Sequence, residues 1–299
     1  MSVILVHGSV ETSTEPHYIQ GLEQAALKGY ARLEQAGSRL DAVEEAIITL
    51  ENNPLFNAGL GSVLNRNGYV EVDGAIMDGL TGKFAAVAAM KGIRQAVSVA
   101  RKVMENSKHV VLAGEGATSF AKEQGFEEDN CITDEQLKSW QTAKQLLQEG
   151  RELEFSAFTG LKKETDTVGC VLLDNEGYLA AASSTGGSFL KLPGRVGDTP
   201  FIGGGIFASI DCSVVCTGRG EAFILTLTAK FVQDGIANGQ APIEVAKHAI
   251  ARMTQLTGEY GGLIVVDKQG RTAAVHNCDS FPVVLLKNGI VTPIEIIRL

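Results

Sequence analysis

No block of like charge marks this 299-residue chain, and no apolar run approaches the roughly 18 residues of a membrane span. Acidic residues outnumber basic ones, 35 to 26, and nothing resembles a basic groove. The formal charge of −9 argues against nucleic acid and against an anionic membrane surface as partners. Met1-Ser2-Val3-Ile4-Leu5-Val6-His7 has no basic n-region, and its apolar run is too short for a signal peptide. Cysteines are few and odd in number, scattered at 131, 170, 212, 216 and 278, which points to a reduced, cytoplasmic setting. Cys212 and Cys216 lack a second Cys/His pair, so zinc ligation is not expected. Repeats and low-complexity tracts are also missing. What is present is a hydrophobic fraction of 44%, enough for a substantial core.

The first half alternates strand and helix signals. Residues 3–6 read as a short buried strand. Residues 40–50 predict a helix, with Leu40, Val43, Ala46, Ile47 and Leu50 at helical spacing. Residues 94–104 repeat that pattern through Ala96, Val97, Ala100 and Val103, and 110–112 return to strand. Residues 134–153 predict a polar helix that passes into the charged stretch Lys162-Lys163-Glu164-Thr165. The second half opens on a hairpin, with strands at 168–173 and 178–183 around Asp174-Asn175-Glu176-Gly177. Residues 213–216 form another strand, followed by helices near 221–234 and 242–256. Two hairpins close the chain, turning at Asp267-Lys268-Gln269-Gly270 and at Lys287-Asn288-Gly289. Paired sheets covered by helices fit this inventory. The charged stretch before Thr167 reads as a processing loop within one domain, 1–299.

Thr167, in Asp166-Thr167-Val168-Gly169-Cys170, opens the mid-chain strand. A threonine hydroxyl is a poor nucleophile, and no His or Cys stands obviously beside this one. A cut before Thr167 would free an α-amine, whose pKa of about 7.7–8.0 suits a general base at neutral pH. Threonine paired with an N-terminal amine is an established form of nucleophile activation. Read alone, Thr167 is a strand threonine, Ser184-Thr185-Gly186-Gly187 a turn, and Thr217-Gly218-Arg219-Gly220-Glu221 a strand end. Lys191-Leu192-Pro193-Gly194-Arg195-Val196-Gly197-Asp198 is more telling. An amino-acid head group needs a cation for its carboxylate and an anion for its ammonium, and Arg195 and Asp198 supply both. Gly203-Gly204-Gly205-Ile206-Phe207-Ala208 is a formal dinucleotide fingerprint, but no buried strand precedes it.

Together these motifs resemble the threonine-nucleophile amidohydrolases of the isoaspartyl peptidase/plant-type asparaginase family. The likeness extends upstream to Asn53-Pro54-Leu55-Phe56-Asn57-Ala58-Gly59-Leu60-Gly61-Ser62-Val63 and Asp73-Gly74-Ala75-Ile76-Met77-Asp78-Gly79, and so covers most of the chain. It implies a four-layer α-β-β-α sandwich of the N-terminal nucleophile hydrolase class. It implies self-cleavage between Asp166 and Thr167 into fragments 1–166 and 167–299, and a pair of such heterodimers. It implies Thr167 as nucleophile, Thr185 orienting it, and Thr217 and Gly218 as oxyanion donors. Arg195, Asp198 and Gly220 would bind substrate, with Asn57 near the nucleophile. Backbone carbonyls of Leu50, Glu51, Asn53, Phe56, Ala58 and Leu60 would wrap a sodium ion. No redox or phosphate cofactor is implied. The expected reaction is hydrolysis of β-aspartyl amides, from isoaspartyl dipeptides or L-asparagine.

The sequence departs from that pattern in three places. Members usually carry His-Gly-Gly-Ala-Gly near the N-terminus, where this chain has His7-Gly8-Ser9-Val10-Glu11. Asp166 stands where glycine is common in the isoaspartyl branch and resembles the glycosylasparaginases instead. Arg219 adds a cation between Gly218 and Gly220. Asp198 speaks against the threonine aspartases. Two rival readings follow from these departures, a glycosylasparaginase-type amidase and an uncleaved pseudoenzyme that acts as a binding protein.

Overall fold

All seven residues from Thr167 to Leu173 are buried, as are all seven from Gly261 to Asp267, so these strands have protein on both faces. The computed structural model describes residues 1–35, 37–150 and 167–299. Its first-half elements are β1 (Val3–His7), α1 (Pro16–Glu34), α2 (Arg39–Glu51), a 3-10 turn (Gly59–Gly61), β2 (Val72–Asp78), β3 (Phe84–Met90), α3 (Ala96–Asn106), β4 (Val111–Ala113), α4 (Gly114–Glu123) and α5 (Asp134–Gln148). The second half contributes β5 (Thr167–Leu173), β6 (Leu179–Thr185), β7 (Ile206–Ala208), β8 (Cys212–Gly218), α6 (Gly220–Thr226), α7 (Thr228–Ala237) and α8 (Pro242–Thr257). It ends in β9 (Gly261–Asp267), β10 (Thr272–His276), β11 (Val283–Lys287), β12 (Ile290–Thr292) and β13 (Ile296–Arg298).

The strands form two sheets, ordered β12-β11-β1-β5-β6-β2-β3-β4 and β13-β10-β9-β8-β7. Period-2 alternation divides their side chains between three cores. Ile4, Val6, Cys170, Leu172 and Ala182 turn outward onto Leu22, Val43, Ile47 and Val97 of α1 to α3. Their neighbours Val3, Leu5, Val171, Leu173 and Ala181 turn inward and meet Val215, Ile264 and Val266 of the second sheet. The far face of that sheet, with Val214, Cys216, Leu263 and Val265, packs on Val232, Val245 and Ile250 of α7 and α8. The layers are therefore α-β-β-α, as the resemblance implies. No described helix is long and apolar enough to cross a membrane.

Two helices differ from the sequence expectation. The single helix near 221–234 is broken, because Leu227 adopts a left-handed conformation at φ 48° between α6 and α7. The freed groups find partners: Arg252 Nη1 of α8 donates to the Thr226 carbonyl at 2.9 Å, and the Thr226 and Thr228 hydroxyls lie 2.7 Å apart. The helix from 134 ends at Gln148, and the charged stretch at 162–165 lies outside the described residues. All five cysteines are free and buried.

Candidate active site

The tight turn at 174–177 joins β5 to β6, so their far ends meet and Thr167 pairs directly with Thr185. On its other edge Thr185 pairs with Asp73 of β2. By alternation all three face the second sheet. Across that gap β8 presents Thr217, two positions beyond Val215. A Cβ on Gly169 would lie 2.5 Å from Val215 Cγ1 and 2.3 Å from His7 Nε2. Only glycine at 169 lets the sheets close here, and that closure sets the height of Thr167 above β8.

Six of the seven sequence-predicted catalytic and substrate-binding residues line one pocket: Thr167, Thr185, Arg195, Asp198, Gly218 and Gly220. Gly187, Ser188 and Gly197 complete its wall. The seventh, Thr217, is fully buried behind Gly218, with its hydroxyl 2.8 Å from that of Ser9. Thr185 Oγ1 accepts from the Gly187 amide at 2.9 Å, which leaves its own proton to donate. Asp166 lies outside the described residues.

Arg195 and Asp198 sit on the loop after Lys191. Glu71 accepts from the Gly194 amide at 3.0 Å, and Asp73 Oδ2 accepts from the Gly197 amide at 3.2 Å. These two buried carboxylates pin the loop at both ends of Arg195. Arg195 donates through Nε and Nη2 to Glu221 at 3.0 and 2.8 Å, a bidentate pair. Asp198 is nearly fully buried, and a Cβ on Gly220 would come within 2.9 Å of its Oδ1. Burial pushes the Asp198 carboxyl up to about 7, against the pull of its own backbone amide and of Arg195. Its Oδ2 is buried and has no hydrogen-bond partner. Oδ2 turns toward Gly205, where an added Cβ would lie 2.6 Å from it, so Oδ1, on the Gly220 side, is the oxygen nearer the pocket.

His7 is also buried. Burial lowers its pKa to about 3, partly opposed by the Thr167 backbone. Nδ1 accepts from the Ser9 amide at 3.2 Å, so Nε2 carries the proton and faces β5. A neutral imidazole of this kind orients backbone and does not collect protons.

The loop after α2 braces the site from outside. Glu51 is fully buried, and its Oε1 accepts from Ser184 Oγ at 2.7 Å and the Val97 amide at 3.1 Å. Burial raises its pKa to about 8, opposed by those hydrogen bonds. Asn57 donates to the Gly187 carbonyl at 2.7 Å and its own carbonyl accepts from the Gly186 amide, so it supports the pocket wall and not Thr167 itself. In the expected sodium loop the Glu51 and Phe56 carbonyls press on Gly59 and Gly61, where added Cβ atoms would lie 2.4 and 1.8 Å from them, and the Leu50, Asn53, Phe56 and Ala58 carbonyls accept from the Asn53, Phe56, Ala58 and Gly61 amides.

Sequence reasoning gave no role to Glu71 and Asp73, and no side-chain role to Ser9, Glu51 or Glu221. Asp73 and Glu221 stood inside recognised motifs without a role. The signal available in the sequence was an acid set against the apolar run Gly74-Ala75-Ile76-Met77, where a charge stands only if it has partners.

A family model described as Asparaginase matches residues 1–290. The chain is 42% identical over 304 residues to a plant-type L-asparaginase from Thermococcus kodakarensis, covering 98% of this chain and 99% of the relative. It is 40% identical over 275 residues to an isoaspartyl peptidase/L-asparaginase from Xenopus laevis, covering 90% and 86%. The corresponding protein from Bos taurus is 38% identical over 292 residues, covering 96% and 94%. Motif order, sandwich and similarity over the full length agree, and the chain belongs to the isoaspartyl peptidase/plant-type asparaginase family of N-terminal nucleophile hydrolases.

Proposed function

We propose that the chain is an autoprocessed threonine amidohydrolase that cleaves β-aspartyl amide bonds in isoaspartyl dipeptides and L-asparagine and releases L-aspartate. The observation that carries this reading is the meeting of Thr167 with Arg195 and Asp198 in one pocket. After cleavage at Asp166–Thr167, the freed α-amine takes the Thr167 hydroxyl proton as Oγ attacks the substrate amide carbon. Arg195 holds the α-carboxylate and Asp198 the ammonium, which fixes the β-carbonyl over Thr167. The Thr217 hydroxyl and the Gly218 amide receive the oxyanion. Collapse expels ammonia or an amino acid, protonated by the α-amine, and leaves an aspartyl ester on Thr167. Water activated by the same amine hydrolyses that ester.

Several accompanying features belong to this proposal. Backbone carbonyls of the 50–60 loop, which keep a second lone pair beside their loop hydrogen bonds, would hold a sodium ion, a hard cation that accepts backbone oxygen, through Leu50, Glu51, Asn53, Phe56, Ala58 and Leu60. That ion would stiffen the loop that braces 184–187. An exposed apolar surface at Phe201, Ile202, Leu225, Leu227 and Leu256 supports pairing of two αβ units, with Leu225 78% exposed. Five free, buried thiols support a cytoplasmic setting.

The reading is tested by giving the matured protein isoaspartyl-leucine, L-asparagine and glycosylated asparagine in turn. Aspartate release from the first two, with Thr167 as a new N-terminus, is expected. An intact chain without aspartate release would favour the pseudoenzyme, and preference for the glycosylated substrate would favour the other amidase.

A further inference from the structure

Ser9 stands where the family's N-terminal motif carries glycine, and its φ is 91°, a region that favours glycine. Glu11, where the motif also carries glycine, has a positive φ too, 62°. Glu11 is tied by its side chain, whose Oε1 accepts from the Asp279 amide at 2.8 Å. Ser9 is tied by its hydroxyl: fully buried, it lies 2.8 Å from the Thr217 hydroxyl, 208 positions away in sequence. The Ser9 amide is held in turn by His7 Nδ1, and His7 packs against Gly169 beneath Thr167. A strained backbone at a site is kept where its surroundings make use of it.

We propose that Ser9 is a positioning residue for oxyanion stabilisation, acting through Thr217. This rests on the reading of Thr217 as an oxyanion donor. Thr217 has one hydroxyl proton. It can give that proton to a developing oxyanion only if Ser9 donates its own to Thr217 Oγ1. The Ser9 hydroxyl then fixes the Thr217 rotor with its proton toward the pocket, and a hydroxyl already accepting a hydrogen bond is a stronger donor. No proton changes owner; Ser9 sets direction and polarisation before substrate arrives.

The test is a double-mutant cycle of Ser9→Gly and Thr217→Ala, with rates expressed per Thr167 N-terminus counted by intact mass. Glycine is at ease at the Ser9 backbone angle, so Ser9→Gly should melt at or above the parent temperature. Its kcat should nevertheless fall about tenfold, the scale of one neutral hydrogen bond, with KM little changed. Thr217→Ala should lose on the order of 10²–10³ in kcat. The double variant should be no slower than Thr217→Ala alone, because Ser9 acts only through Thr217. A merely structural Ser9 could not gain stability and lose rate together. Thr217→Ala within twofold of the parent would overturn Thr217 as a donor and the inference with it. A large loss in Thr217→Ala with Ser9→Gly within twofold of the parent would overturn only the role of Ser9. A double variant well below Thr217→Ala would do the same.

Discussion

Arg195 and Glu221 lie fork to fork, Nε and Nη2 at 3.0 and 2.8 Å from the two carboxylate oxygens, while Arg219 approaches the same carboxylate at 3.6 Å. Glu221 thus fills one edge of the guanidinium and leaves Nη1 for a substrate carboxylate. The pair holds the Glu221 carboxyl below its usual range, through the hydrogen bond first. Arg195→Ala should weaken binding by about 2–5 kcal/mol. Glu221→Ala should raise KM about tenfold and change kcat less, because it only loosens the Arg195 fork. Steady-state kinetics on an isoaspartyl dipeptide check both. A lower KM in Glu221→Ala would mean that Glu221 competes with substrate for Arg195.

Gly169 carries the close approach of the two sheets under the nucleophile. In Gly169→Ala the new methyl would need the space of His7 Nε2 and Val215 Cγ1 at once. Overpacking of this kind costs about 1–3 kcal/mol. The expected result is a lower urea midpoint and slowed cleavage at Thr167. Unchanged stability and maturation would show that the sheets can part here without cost.

Asp198 should leave a mark in the pH profile. Burial raises its pKa to about 7, and only the ionised carboxylate attracts the substrate ammonium. kcat/KM should therefore rise with pH through about 7, an effect of the free enzyme. Bound ammonium lowers the Asp198 pKa, so kcat should lack this limb. Asp198→Asn should raise KM and make the rise in kcat/KM shallower, leaving only the limb set by the Thr167 α-amine. A rise as steep in that variant as in the parent would mean that Asp198 does not contribute to it.

Glu51 makes the opposite demand on stability. In the folded protein its carboxyl keeps a proton up to about 8, whereas the unfolded chain releases it near the ordinary value of 4.5. Between those values the folded state binds the extra proton. The Glu51 contribution is thus fully present below 4.5 and is lost as pH rises through about 8. The loss is at most about 1.4 kcal/mol per pH unit. Glu51→Gln keeps the acceptor for Ser184 and Val97 without the titration. It should match the parent in urea unfolding below about 4.5, exceed it increasingly as pH rises toward about 8, and keep that margin above it. A difference that does not vary with pH would contradict the raised pKa.

Much of the site was legible because its parts lie close in sequence. Thr167 and Thr185 share a hairpin, and Arg195, Asp198, Thr217 and Gly218 follow within about two elements of it. The sheets were legible from buried runs such as 168–173, since strands covered on both faces are apolar throughout. Helix α1 was not seen, because Gly21 and Gly29 break its pattern where they let it approach Phe56 and the Ala42 carbonyl. The break at Leu227 depends on Arg252, one helix away. Ser9 and Thr217 meet only through the stacking of two sheets, which no local pattern encodes.

The central claim is that the Thr167 α-amine is the base. Uncleaved precursor has no such amine, so purified precursor and matured protein should be compared on one isoaspartyl dipeptide across pH. The matured protein should turn over, with a limb in kcat at or below neutrality, since burial and Arg195 lower the amine from its free value of about 7.7–8.0. The precursor should show essentially no turnover at any pH. Comparable activity in the two forms would contradict the N-terminal amine as base.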